Sequence, residues 1–188
     1  MRVISGTAKS TLLVAPKGMK TRPTSDRAKE SLFNMLAAHI KNASFLDLFC
    51  GSGAMGIEAL SRGAKEVVFV DNAPSARNAL SENLAKTRLI DSGAEIMGVS
   101  AKNAIRQLSA TGRMFDIIFI DPPYDINGTD FLGETFNALA TANIVSENGI
   151  VIAETDKSVA PPNSEAFTLT NTRNYGRTNF LFYNPLDF

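Results

Sequence analysis

Short apolar runs alternate with amphipathic stretches through most of the chain, and glycine or proline separates many of them. The runs predict five strands, at residues 45–49, 67–71, 95–99, 115–120 and 149–153. Apolar residues at helical spacing predict intervening helices at 57–61, 74–88, 104–108 and 131–140. The run at 115–120 is almost wholly apolar, which is typical of a central strand in a parallel sheet.

The two ends of the chain add further elements to this alternation. Thr24, Ser25 and Asp26 supply cap residues for a helix that reaches about residue 40. Residues 166–169 and 180–183 predict an antiparallel pair, and residues 2–14 a short hairpin. The order predicts an α/β fold: a doubly wound, mostly parallel sheet with helices on both faces, a C-terminal antiparallel strand pair and a small N-terminal β-hairpin extension. We expect one domain over residues 1–188, with 1–23 as a basic arm.

Composition places the chain among ordinary globular proteins. It has 188 residues, of which 44% are hydrophobic and 20% charged. Its only cysteine, Cys50, excludes a disulfide framework and favours a reducing compartment. No apolar run approaches the roughly 20 residues that span a bilayer, and the N-terminus lacks the apolar core of a signal peptide. We therefore expect a cytoplasmic protein without a membrane partner.

The charge is unevenly distributed although the net charge is zero. The first thirty residues hold seven Lys or Arg against two acids, a net charge of +5, so the remainder carries −5. Such asymmetry is typical of a basic arm that meets a polyanion, and a solvated flexible end is the alternative interpretation.

A glycine loop directly follows the first predicted strand, with the spacing Gly51-x-Gly53-x-x-Gly56. A strand, a glycine turn and a helix N-terminus bring backbone N–H groups toward a ligand. Asp47 lies within that strand and can reach back to the loop or to a ligand amine. Asp71 ends the second strand, where an acid can hold both hydroxyls of a ribose. The spacing also matches the dinucleotide fingerprint, so it does not name the ligand, and a plain tight turn is the alternative.

A second motif, Asp121-Pro122-Pro123-Tyr124, ends the fourth predicted strand. The carboxyl ends of parallel strands share one edge, so the motif should lie beside the glycine loop and Asp71. Together these motifs resemble the class I S-adenosylmethionine-dependent methyltransferases that modify exocyclic amines.

The motif suits an amine whose lone pair is delocalised into a ring. Asp121 and the Pro122 carbonyl can both accept hydrogen bonds from it, and the prolines preset the direction of that carbonyl. Asp121 can also act as a weak general base. Tyr124 offers a face on which an unstacked base can lie. A rigid turn after a strand is the alternative interpretation.

The likeness becomes closer over nearly the whole chain, which resembles the RsmD family. The stretches that carry it are RPT (22–24), DRAKESLFN (26–34), FLDLFCGSGAMGIEALSRGA (45–64), DPPY (121–124) and YG (175–176). The resemblance implies methylation of guanine N2 in small-subunit (16S) ribosomal RNA, with S-adenosylmethionine as cofactor and no metal. It implies this rRNA as partner. A nearly neutral chain with one modest basic arm should bind short RNA weakly, so we expect the rRNA to be bound within an assembled or assembling subunit.

The same resemblance, with the motifs above, gives candidate site residues. The catalytic candidates are Asp121, Pro122 and Tyr124. The cofactor candidates are Arg22, Thr24, Asp47, Cys50, Gly51, Ser52, Gly53, Gly56, Asp71, Asn72 and Ser100. The RNA-binding candidates are Arg2, Lys9, Lys17, Lys20 and Pro123.

The chain departs from the family at two places. Lys9 is followed by Ser10 and Thr11 where the family usually has glycine and a basic residue, and Ser100 stands where class I enzymes commonly carry an acid. Three alternatives remain open from the sequence: an adenine-N6 methyltransferase on DNA, an NAD-dependent oxidoreductase with the same glycine loop, and a non-catalytic RNA-binding or ribosome-assembly factor.

Overall fold

The structure, a computed structural model, describes residues 1–18, 24–123 and 130–186. Its elements are, in chain order, α1 (Asp26–Met35), β1 (Ser44–Leu48), α2 (Ala54–Ser61), β2 (Glu66–Val70), α3 (Pro74–Thr87), β3 (Ala94–Met97), α4 (Ala101–Ala110), β4 (Phe115–Ile120), α5 (Phe131–Ala142), β5 (Val145–Asp156), β6 (Phe167–Tyr175) and β7 (Thr178–Pro185). None of the helices within these ranges is long and apolar enough to cross a membrane.

The strands form one sheet in the order β3-β2-β1-β4-β5-β7-β6. Neighbours from β3 to β5 are parallel, whereas β7 is antiparallel to both β5 and β6. The predicted doubly wound, mostly parallel fold with a C-terminal antiparallel pair is confirmed. The strand order reverses direction between β1 and β4, and open α/β sheets bind ligands at the carboxyl ends of strands beside such a switch point.

Two apolar cores cover the two faces of the sheet. The first core contains residues of α1, α2 and α3, and the second contains residues of α4 and α5. Alternate residues of β1 enter different cores, since Phe45 belongs to the first and Leu46 to the second. Burial on both faces explains why the parallel strands are recognisable as continuous apolar runs.

Several predicted boundaries differ from the structure. The first helix ends at Met35 rather than near residue 40, because the chain continues in tight turns, with His39 N–H donating to the Leu36 carbonyl at 2.9 Å. β6 extends to Tyr175, well beyond the predicted 169. Most of its residues are exposed or half-buried at the sheet edge, so the apolar signal is weak there.

The N-terminal segment is docked on α2. Arg2 and Leu12 form a single antiparallel bridge, and the Thr7 N–H donates to the Ser61 carbonyl at 2.9 Å. Gly6 has φ +84°, and a Cβ there would lie 1.7 Å from the Ser61 carbonyl oxygen. Glycine is therefore required at this contact.

A buried carboxylate, Glu58 of α2, fixes the same segment from below. It accepts hydrogen bonds from the N–H groups of Ile4 (2.7 Å) and Ser5 (3.0 Å). It also pairs with Lys29 of α1 at 3.1 Å and with Arg62 at 2.7 Å. Burial lowers the pKa of Lys29, which the charge of Glu58 opposes. The arm, α1 and α2 thus share one buried ionic centre.

Candidate active site

The glycine loop, residues 49–53, begins where β1 stops pairing. Phe49 has φ +60°, an unusual conformation for a bulky residue, and it turns the chain out of the strand. Cys50 N–H donates to the Val70 carbonyl at 3.0 Å, and Gly53 N–H donates back to the Cys50 carbonyl at 2.7 Å. Such strain is common beside ligand sites, and here the loop is held against the end of β2.

Glycine is favoured at the three positions of the motif for different physical reasons. Gly51 has φ +53°, and a Cβ there would meet nothing within 4 Å, so this part of the backbone faces open space. A Cβ on Gly53 would lie 2.3 Å from the Leu80 side chain, and one on Gly56 would lie 2.3 Å from Phe69. Gly51 therefore leaves room for a ligand, whereas the other two let α2 approach α3 and the sheet.

Two acids flank this loop. Asp47 is 1% exposed and accepts the Gly56 N–H at 2.9 Å. Burial raises the pKa of Asp47 to about 7, with a further contribution from the charge of Asp71 and an opposing one from the Gly56 hydrogen bond. Asp71 accepts N–H groups from Gly51 at 3.0 Å and Ala73 at 2.9 Å. Asp71 thus holds the loop at the end of β2, and Asp47 holds the first turn of α2 against β1.

Cys50 fills a buried position between these acids. Burial raises the pKa of the Cys50 thiol well above its ordinary value, and the charges of Asp47 and Asp71 raise it further. A thiol that resists ionisation is a poor nucleophile, so its place in the loop is that of a compact side chain.

Two other cofactor candidates, Asn72 and Ser100, lie at the starts of connections after strands. The Asn72 side chain is exposed, and its carbonyl accepts from Arg77 at 2.8 Å. Ser100 is the N-cap of α4, and its side chain accepts from Asn103 N–H at 3.4 Å. Helix capping accounts for Ser100 without a ligand.

Asp121 follows β4 and lies beside the glycine loop. Its N–H donates to the Leu48 carbonyl at 3.3 Å, which joins the ends of β4 and β1. Asp121 is exposed to solvent. The surrounding protein nevertheless reduces the solvation of its carboxylate and so raises the pKa of Asp121 well above its ordinary value. The charges of Glu154 and Asp47 raise this pKa further. Pro122 and Pro123 continue the motif, and Tyr124 lies outside the described residues.

Glu154 of β5 is a site residue that the sequence analysis missed. Ile120 of β4 pairs with Ala153, so the next residues along, Asp121 and Glu154, are neighbours at the strand ends. Glu154 is 6% exposed and accepts the Thr24 hydroxyl at 2.6 Å. Burial raises the pKa of Glu154 to about 7, against the Thr24 hydrogen bond, which lowers it. The signal was present, because an acid directly follows the last predicted residue of strand five.

Strand alternation explains why three acids meet on one face. Phe45, Phe119 and Ile152 all point into the first core. Asp47, Asp121 and Glu154 each stand two residues further along β1, β4 and β5, and therefore on the same side of the sheet. The three acids therefore lie on the face of the sheet that packs against α1, α2 and α3.

Three of the arm candidates, Arg2, Lys9 and Lys17, lie within the described residues. Arg2 forms a surface ion pair with Asp26 at 3.1 Å. Lys9 and Lys17 are exposed. Lys20 and Arg22 lie outside the described residues.

The chain is similar to known proteins in sequence and in structure. The model of a family described as "Conserved hypothetical protein 95" matches residues 1–184. "Ribosomal RNA small subunit methyltransferase D" of Haemophilus influenzae is 32% identical over 97% of this chain and 93% of its own. A hypothetical protein of Thermus thermophilus has a TM-score of 0.83 at 28% identity, over 98% of this chain and 99% of its own. A SAM-dependent methyltransferase from Agrobacterium tumefaciens shares the fold, with a TM-score of 0.58 at 23% identity over 69% of this chain and 43% of its own.

Proposed function

The chain belongs to the RsmD family of methyltransferases, and we propose that it methylates the exocyclic N2 amine of a guanine in small-subunit (16S) ribosomal RNA, with S-adenosylmethionine as donor. The observation that carries the proposal is the 3.3 Å hydrogen bond from Asp121 N–H to the Leu48 carbonyl. It sets the amine-binding motif directly beside the glycine loop. The name of the Haemophilus influenzae relative supports the choice of substrate.

The residues around the loop fit the cofactor. Gly51 faces open space, where the donor can lie against the backbone. Each Asp71 oxygen holds one backbone N–H and keeps a further lone pair for a ribose hydroxyl. A positively charged group near Asp47 would stabilise its ionised form, which burial disfavours. When bound, S-adenosylmethionine supplies a methyl group attached to positively charged sulfur.

Asp121 and Pro122 orient the acceptor amine. The amine donates hydrogen bonds to the Asp121 carboxylate and the Pro122 carbonyl. These bonds orient the lone pair of the amine toward the bound methyl donor. Alignment of this kind can lower a barrier by up to about 7–11 kcal/mol. After transfer the amine must lose a proton, and Asp121, whose pKa is raised well above its ordinary value, is suited to accept it.

The proposed substrate is an assembled or assembling small-subunit particle in the cytoplasm. A chain of zero net charge with one basic arm should bind short RNA weakly and with strong salt dependence. In the proposal Arg2, Lys9 and Lys17 of the arm contact phosphates, and Tyr124 stacks on the guanine.

Mass mapping of methylated nucleosides in rRNA from cells with and without the gene tests this function. We expect one N2-methylguanosine of the small-subunit rRNA to disappear without the gene and to return with the wild-type gene, but not with Asp121→Ala. That variant should still bind S-adenosylmethionine by calorimetry. Unchanged rRNA, or transfer of tritium from labelled donor to duplex DNA rather than to small subunits, would overturn the substrate assignment.

A further inference from the structure

One side chain, Asn83 of α3, joins the N-terminal segment to the glycine loop. It is fully buried, and its carbonyl oxygen accepts the Val14 N–H at 2.7 Å. Its amide nitrogen donates to the Val14 carbonyl and to the Ser52 carbonyl, both at 2.9 Å. Both amide N–H groups and the oxygen are therefore engaged. The amide makes with Val14 the pair of hydrogen bonds that the backbone of a neighbouring strand would make, and its third hydrogen bond holds the loop at Ser52.

The loop contact fixes one whole peptide unit. The Ser52 carbonyl is held by Asn83, while the N–H of the same peptide, on Gly53, donates to the Cys50 carbonyl at 2.7 Å. A planar peptide held at both ends cannot rotate without breaking one of the two bonds. The orientation of this loop peptide and the position of Val14 thus depend on one buried amide.

The other anchors of the N-terminal segment do not reach the loop. Among the described residues, Glu58 binds Ile4 and Ser5, and Ser61 binds Ala8 and Ser5. These contacts hold the segment to α2, and those of Arg2 with Lys29 and Asp26 hold it to α1. In the part of the chain that the structure describes, Asn83 is the side chain that hydrogen-bonds both the segment and the loop.

We infer that Asn83 is a positioning residue that couples cofactor binding in the glycine loop to ordering of the N-terminal segment, residues 1–18. The inference rests on the proposed function, in which the loop holds the donor and the arm meets RNA. A ligand that settles the Ser52–Gly53 peptide also settles Asn83, and through it Val14. Coupling is reciprocal, so an arm held by RNA favours the loop conformation that binds the donor.

Hydrogen exchange of the segment at residues 1–18 tests this coupling, with S-adenosylhomocysteine as the probe. In wild type, saturating probe should slow exchange of the segment by about fivefold or more, the lower range of measured couplings. In Asn83→Ala the segment should exchange faster, and bound probe should no longer slow it. Ser61→Ala is the matched control: its segment should also exchange faster, but the probe should still slow it.

Val14→Pro weakens the same link from the other side: proline has no N–H to donate to the Asn83 oxygen, although its carbonyl can still accept from the Asn83 amide. It leaves the Asn83–Ser52 contact in place and decides the question if Asn83→Ala fails to fold. The probe should bind this variant and slow exchange of the segment less than it does in wild type. Probe-dependent slowing in Asn83→Ala, slowing of wild-type size in Val14→Pro, or no slowing in wild type with the probe bound would overturn the inference. Failure of wild type to bind the probe would instead refute the proposed cofactor, and binding without rRNA methylation would refute only the proposed substrate.

Discussion

Asp47→Asn should stabilise the free protein while weakening its hold on the cofactor. The carboxyl of Asp47 is almost fully buried, and the Gly56 N–H that it accepts at 2.9 Å can be accepted equally by an amide oxygen. A pKa raised from 3.8 to about 7 means that ionising Asp47 in the folded protein costs about 4 kcal/mol more than in the unfolded chain. The neutral amide avoids that cost.

The sign follows from proton linkage. The folded state holds the Asp47 proton more tightly than the unfolded state, so this group's contribution to stability is lost as the pH rises through the window from 3.8 to about 7. The Asp47→Asn variant lacks this loss. Its advantage over wild type should be near zero below about pH 4 and reach at most about 4 kcal/mol above pH 7.

Urea unfolding of the free protein from pH 4 to pH 8 measures this difference. Asp116→Asn is the matched control, because Asp116 also accepts a backbone N–H, from Ser44 at 2.9 Å, but on an exposed surface; its stability should stay within about 0.5 kcal/mol of wild type. Parallel pH profiles for wild type and Asp47→Asn would refute the reasoning. Calorimetry should show about 10- to 100-fold weaker binding of S-adenosylmethionine, since a charge-assisted hydrogen bond contributes about 1.5–3 kcal/mol.

Three further changes test other parts of the structure. Glu58→Gln leaves a buried lysine without its counter-charge and should cost about 3–5 kcal/mol in urea unfolding. The same change at Glu66, whose ion pair with an arginine is partly exposed, should cost about 1 kcal/mol or less, and equal losses would contradict the assignment. Gly56→Ala should lower stability by about 1–3 kcal/mol, seen as a lower melting temperature, because the new methyl group meets a phenylalanine ring of β2 at 2.3 Å. Glu154→Gln removes a charge that raises the pKa of Asp121, so the acidic limb of the pH–rate profile should move to lower pH; an unmoved midpoint would count against the pairing.

The sequence was sufficient for the sheet and for the meeting of its strand ends. The strands at 45–49 and 115–120 are continuous apolar runs, and parallel strands present their carboxyl ends at one edge. From that rule alone, Asp47 and Asp121 are expected to lie close together. It could not give the length of β6, whose side chains face solvent at the edge of the sheet and leave little apolar pattern.

Roles that depend on tertiary contacts were beyond the sequence. Nothing in the polar helix around Asn83 distinguishes that residue from its neighbours, since its partners lie 31 and 69 positions away. Thr24 remains a predicted cofactor residue, but its hydrogen bond to Glu154 is not foreseeable from the sequence. In both cases a polar side chain hydrogen-bonds a buried group that is far away in the sequence. The pattern of residue types along the chain does not indicate such a partner.

The acids at the ends of β1, β4 and β5 give the site a consistent electrostatic logic. Loss of solvation raises the pKa values of Asp47, Asp121 and Glu154, and the charges of Glu154 and Asp47 raise that of Asp121 further, so the free protein stabilises negative charge poorly at these strand ends. A ligand that brings positive charge offsets this repulsion, whereas a dinucleotide phosphate would add to it. The electrostatics of these acids thus favour binding of a cationic donor over an anionic one. The spacing of the glycines alone does not distinguish the two.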